Sequence, residues 1–239
     1  VTSAEASTVI DQVVAGTARL EAGLADLTDS DSAAPSGLPG WTRGHVLAHL
    51  SRNADSLLNL LLWARTGVEL PQYASTALRD ADIEAGAPRP IILHREDFHA
   101  SAARWQAVAA TMPAERWAAE VRNRQGGTLP AAGVPWMRLR EIEIHHVDLA
   151  IGYTPADWPA PFVARLLPEA TADLAARLDP AATPTFDVQT TDTGFAATLG
   201  PGHPNHTVLG ESHSLLAWLL GRSPGTDLTG PLTPLPAWK

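Results

Sequence analysis

Apolar residues recur every three or four positions through the first two thirds of this chain, and that period commits the region to amphipathic helices. Ile10, Val13, Val14, Thr17, Leu20, Leu24 and Leu27 form one stripe, long enough for about six turns. The Ser/Asp/Pro/Gly segment 29–40 reads as a loop. Thr42 then stands where it can cap a second helix, with Val46, Leu47, Leu50, Ala54, Leu57, Leu58 and Leu61 on its apolar side and Gly67 as its stop. Ser75 is placed to cap a short helix that carries Arg79. Pro90 opens a third long helix through Leu93, Phe98, Ala102, Trp105, Ala109 and Met112. Residues 113–135, with Gly126, Gly127, Pro130 and Gly133, read mostly as loop. A fourth long helix runs from near Pro135 to about Gly152, with Met137, Ile144, Val147 and Ile151 along one side. Four long helices with connecting loops predict a bundle.

Beyond Tyr153 the pattern changes. Pro155, Pro159 and Pro161 lead into a helix over 162–178, kinked at Pro168. Short β-like runs follow at 185–191, 195–199 and 207–209, separated by turns at 192–194 and 200–205. A last helix over 212–220 ends at Gly221. The expected class is therefore α plus α+β, with a four-helix bundle over residues 1–154 and a small α+β domain over 155–239.

Charge and composition narrow the function. Lys and Arg number 17 against 26 Asp and Glu, a net charge of −9, which argues against a nucleic-acid partner. No apolar run approaches the roughly 20 residues of a membrane span. The opening residues lack the pattern of a secretory signal, so a cytoplasmic location is expected. Lys239 is the only lysine, which leaves the cationic work to arginine, the better partner for planar carboxylates. Cysteine is absent, so disulfides, thiolate zinc ligands and a cysteine nucleophile are all excluded. Any thiol chemistry needs a thiol from outside. Nothing sets the oligomeric state, and a monomer is compatible with the sequence.

The fourth helix carries the most informative cluster. Glu141 and His145 are four apart, so their side chains lie one above the other on one face. A carboxylate and an imidazole turned inward are costly unless paired or metallated. A third ligand must come from another helix, and His49 sits beside the apolar stripe of the second. Two histidines and a glutamate leave a coordination position open, as in catalytic zinc sites, and such a set also suits ferrous iron. Asp148, one turn from His145, is placed to orient that ring. Spacing alone does not choose this set. A Glu/His pair of this kind is more often a surface contact, and His45 with His49 makes an equally good clip. Ser212-His213-Ser214 lacks the acidic partner and nucleophile elbow of a hydrolase. The singly scattered tryptophans, from Trp41 to Trp238, read as fillers of cores and domain seams.

Three blocks together resemble a known family. They are the run from Gly40-Trp41-Thr42 to His49-Leu50, the run from Tyr73 to Arg79, and the run from Trp136 through Glu141 to His145-His146-Val147-Asp148. In combination they are similar to the mycothiol-dependent maleylpyruvate isomerases, whose N-terminal part is a DinB-like four-helix bundle. The resemblance implies zinc on His49, Glu141 and His145, and leaves His45 and His146 as non-ligands. It implies functional roles for Arg79 and, near the end of the last helix, Arg222, as groups that neutralise substrate carboxylates or a developing enolate. The implied partners are a small dicarboxylate and the low-molecular-weight thiol mycothiol. The implied reaction is the cis–trans conversion of maleylpyruvate to fumarylpyruvate in aromatic catabolism, by thiolate addition, rotation and elimination. Two other outcomes stay open for such a scaffold: a mycothiol S-transferase acting on another electrophile, and a non-enzymatic module braced by zinc.

Overall fold

The computed structural model describes residues 3–179 and 183–236. The chain divides into two compact units, Val1–Gly152 and Tyr153–Lys239. The first is built from α1 (Ser3–Leu24), α2 (Asp29–Ala33), α3 (Arg43–Thr66), α4 (Thr76–Gly86), α5 (Ile91–Ala110) and α6 (Val134–Asp148). Helix α3 is its central member, packed against α5, α6 and the shorter α4, while α1 lies on α6 and α5. Leu20, Leu24, Leu47, Leu50, Leu57, Leu60, Leu61, Phe98 and Trp105 are fully buried at the centre. Each such side chain stabilises by about 1.5–3 kcal/mol, more than the propensity differences between ordinary helical residues, about 0.7 kcal/mol at most. The apolar stripes therefore decide how the helices turn.

Local chemistry sets the ends. Thr42 caps α3, its hydroxyl accepting from the His45 N–H, while the His45 ring returns a bond to the Thr42 N–H. Gly67 closes the helix in the left-handed region at φ 76°. Ser75 caps α4 through the Leu78 N–H.

Two stretches read as loop contain structure. Helix α2 sits inside 29–40, started by a capping box between Thr28 and Asp31. Within 113–135, β1 (Glu120–Arg122) and β2 (Thr128–Pro130) pair antiparallel between two short 3-10 turns. Three-residue strands are too short to display a period of two. The fourth long helix also stops at Asp148, short of Gly152. The Gly37 N–H takes the Asp148 carbonyl, and Arg43 donates to the carbonyls of Leu149 and Ala150. Carbonyls paired from outside do not need a further helical turn.

In the second unit α7 (Ala160–Ala175) runs through Pro168 as one helix and packs on α8 (Ser212–Leu219). A three-stranded sheet has the order β4-β3-β5, formed by β3 (Phe186–Thr190), β4 (Ala196–Leu199) and β5 (Thr207–Gly210). Val188 pairs with Ala197 in the antiparallel partner and with Val208 in the parallel one. Phe162, Leu166, Leu174, Phe186, Val188, Val208 and Leu216 form this unit's core. Among the described residues no helix is long and apolar enough to cross a membrane.

Candidate metal centre

His49 lies on α3, and Glu141 and His145 lie one turn apart on α6. Because α3 packs on α6, the three side chains meet. His49 Nε2 is 2.9 Å from Glu141 Oε2 and 3.1 Å from His145 Nε2, and His145 Nε2 is 3.3 Å from Glu141 Oε2. Among the described residues this is the only group of three or more His, Cys, Asp or Glu side chains gathered closely enough to hold a metal ion. The cluster is deep on the His49 side, 6% exposed, and open at Glu141, 32% exposed.

Partners outside the cluster determine which ring nitrogen carries a proton. His145 Nδ1–H donates to Asp148 Oδ2 at 2.8 Å, so its Nε2 presents a lone pair in the neutral ring. His49 is arranged the opposite way. Arg79 Nη2 lies 3.2 Å from His49 Nδ1, and a guanidinium only donates. In that arrangement Nε2 keeps the ring proton and donates a hydrogen bond to Glu141 Oε2. Burial pushes the His49 pKa down, and the bond to Glu141 offsets this only in part. Burial acts the same way on His145, but its bonds to Asp148 and Glu141 outweigh it and raise the pKa. For Glu141 burial would favour the neutral acid. The bonds from His145 and His49 win and hold it well below the ordinary carboxylate range. The pocket thus keeps an ionised carboxylate beside two imidazoles, a donor set of two nitrogens and one oxygen that fits zinc or ferrous iron with a position to spare.

The surroundings are aromatic and cationic. The Trp41 ring lies 5.7 Å from the His49 ring and stacks on His45 at 6.0 Å. Arg79 sits over the Tyr73 ring at 5.8 Å and also pairs with Asp80. Behind the site Arg138 is completely buried, and burial lowers its pKa to about 10.

The structure brings four of the five singled-out residues together: His49, Glu141, His145 and Arg79. Arg222 lies in the second unit, just after α8, with Nη1 donating to the Leu220 carbonyl. His45 is occupied with the Thr42 cap and Glu84, and His146 is buried against α1 near Gly23. Trp41 corrects the reading of the tryptophans. Trp105, Trp117, Trp136, Trp158 and Trp218 are buried fillers, whereas half-buried Trp41 walls the cluster; Trp238 lies outside the described residues. Arg138 was invisible in the sequence, because an arginine three positions before a glutamate on a helix looks like any solvated charge.

A family model described as the mycothiol maleylpyruvate isomerase N-terminal domain matches residues 13–150. The chain belongs to the mycothiol maleylpyruvate isomerase family. Two solved structures resemble the whole chain: a crystal structure of the mycothiol-dependent maleylpyruvate isomerase, and one of its histidine-to-alanine mutants. Each is 28% identical, superposes with a TM-score of 0.91, and aligns over 100% of both chains. No curated protein sequence matches. The similarity thus extends past the family's N-terminal domain into the α+β unit.

Proposed function

We propose that this protein is a mycothiol-dependent isomerase that converts maleylpyruvate to fumarylpyruvate, with zinc held by His49, Glu141 and His145. The observation that carries the reading is the convergence of those three donors at an open-sided site, in a chain whose full length resembles such an enzyme. Zinc, when bound, would keep an external thiol ionised at neutral pH and so supply the nucleophile whose reversible addition frees the alkene to rotate. The chain itself has no cysteine to do this.

The protein's own groups have separate tasks. Asp148 orients His145 by accepting its Nδ1–H, which aims Nε2 at the site. Glu141 contributes the negative charge that a divalent ion requires and is ionised without it. A ligand role for His49 Nε2 would require the ring proton on Nδ1, the nitrogen that accepts from Arg79 Nη2 in this structure, and a guanidinium freed from that contact would be available to a substrate carboxylate. The substrate is a dianion and the chain is net negative, so local arginines must attract it. Arg222 is proposed as the second carboxylate partner.

The test is turnover of maleylpyruvate by the zinc-loaded protein, with and without catalytic mycothiol, following the trans product. Thiol-dependent turnover that is lost in His49→Ala and recovers mycothiol unchanged supports the isomerase. Arg222→Ala should lose turnover with zinc content intact; loss of zinc instead would make Arg222 structural. Stoichiometric consumption of mycothiol would point to a transferase. Full zinc occupancy without turnover would reject this substrate.

A further inference from the structure

Arg138 is hard to account for by stability. It is 1% exposed, and its guanidinium lies 5.9 Å from the centre of the Phe98 ring on α5. Nη1 donates to the Leu50 carbonyl at 2.8 Å and to Asn53 Oδ1 at 2.9 Å, while Nη2 has no hydrogen-bond partner. Asn53 is itself 3% exposed. Burying a cation costs several kcal/mol even after relaxation. Two charge-assisted hydrogen bonds of about 1.5–3 kcal/mol each do little more than offset that cost. An apolar side chain of similar volume would stabilise such a position as well or better.

The bonds matter for where they are made. Leu50 follows His49, and Asn53 stands one turn further along α3. Arg138 precedes Glu141 by three residues, close to one turn of α6. One guanidinium therefore ties the two ligand-bearing helices together at the level of the ligands. Metal sites demand donor positions good to about 0.2 Å, and the packing of apolar side chains alone tolerates larger slips between helices.

We propose that Arg138 is a positioning residue that sets the register between α3 and α6, so that His49 meets Glu141 and His145 in metal-binding geometry. This inference rests on the metal reading above. A residue of purely structural value would affect the site only by destabilising the fold, whereas a register clamp affects the site out of proportion to stability.

The test compares wild type, Arg138→Met, Asn53→Ala and Leu20→Ala. Leu20→Ala is a core truncation on α1, which carries no ligand. Each metal-free protein is assayed by thermal unfolding and by zinc affinity against a chromophoric chelator, and each cobalt(II) form by its visible spectrum. The expected result is a folded Arg138→Met protein with zinc affinity reduced about tenfold or more and altered cobalt bands. Asn53→Ala should show the same changes at smaller size. Leu20→Ala should lower the unfolding temperature and leave affinity and spectrum unchanged. A folded Arg138→Met protein with wild-type affinity and spectrum overturns the proposal, as does a Leu20→Ala protein with the same changes as Arg138→Met. If Arg138→Met does not fold, Asn53→Ala decides on the same two readouts. A wild type that takes up no zinc overturns the metal reading and this inference with it. Zinc uptake that Arg138→Met leaves intact overturns this inference alone.

Discussion

Arg79→Ala should bind zinc more tightly than the wild type, although Arg79 is proposed to serve the reaction. Without metal, Arg79 Nη2 donates to His49 Nδ1 at 3.2 Å and so favours the tautomer whose Nε2 is protonated and unable to ligate. Metal uptake must break that contact. A hydrogen bond involving a charged group contributes about 1.5–3 kcal/mol. At 3.2 Å this one is at the long end of the range for N–H donors, and the pairing with Asp80 at 2.6 Å survives its loss. About 1.4 kcal/mol is thus a fair value for the penalty, which corresponds to about tenfold in affinity. The guanidinium charge also opposes a divalent cation, in the same direction. Competition against a chromophoric chelator at fixed pH, starting from metal-free protein, reads the difference directly. Equal or weaker binding by Arg79→Ala would refute the claim that Arg79 holds His49 in its non-ligating form. Tighter binding with turnover lost would separate the two roles of this arginine.

Three other outcomes follow from the same geometry. Asp148→Asn should weaken zinc binding by about tenfold or more, because the carboxylate that orients His145 is lost; the same chelator competition measures it. Zinc uptake should release a proton and strengthen with pH. His145 has a raised pKa in the metal-free protein, so below that value the metal must displace its proton, and above it the cost disappears. Calorimetry at pH 6.5 in two buffers of different ionisation enthalpy detects the proton, and identical heats would contradict the assignment. Gly44→Ala should destabilise the fold by about 3 kcal/mol or more, since a Cβ there would overlap the Ala87 carbonyl oxygen, which is backbone and cannot turn aside. Denaturant unfolding checks it, and a near-neutral result would mean that α3 and the end of α4 can part easily.

Much of the scaffold was legible because its determinants are local. Thr42, Ser75 and Gly67 mark helix ends through bonds and backbone angles that span a few residues. The α1, α3 and α5 stripes announce themselves by period. Helix α6 was less clear. Arg138, Glu143, His146 and Asp148 are buried on more than one side of it, against α3 as well as α1, so polarity gives a poor guide to which residues turn inward. Glu143 is buried because Arg19 on α1 reaches it, a contact across 124 residues that no window of sequence contains. The β1–β2 hairpin is not legible for the simpler reason that its three-residue strands are shorter than a recognisable pattern.

The sequence alone determined that Glu141 and His145 share a face, since a helix of 3.6 residues per turn leaves no other arrangement. It also determined, through the lack of any cysteine, that thiol chemistry here would need a thiol from outside. By residues alone it left His45 and His49 as equal candidates, and only the family resemblance separated them. The tertiary structure decided how they differ in place. His49 meets partners 92 and 96 residues away, while His45 is spent on its own helix cap. Which of two neighbouring histidines faces a distant helix depends on how the helices rotate and slide against one another. Burial of the whole apolar surface and a few cross-helix bonds such as those of Arg138 set that rotation, and local period says nothing about either.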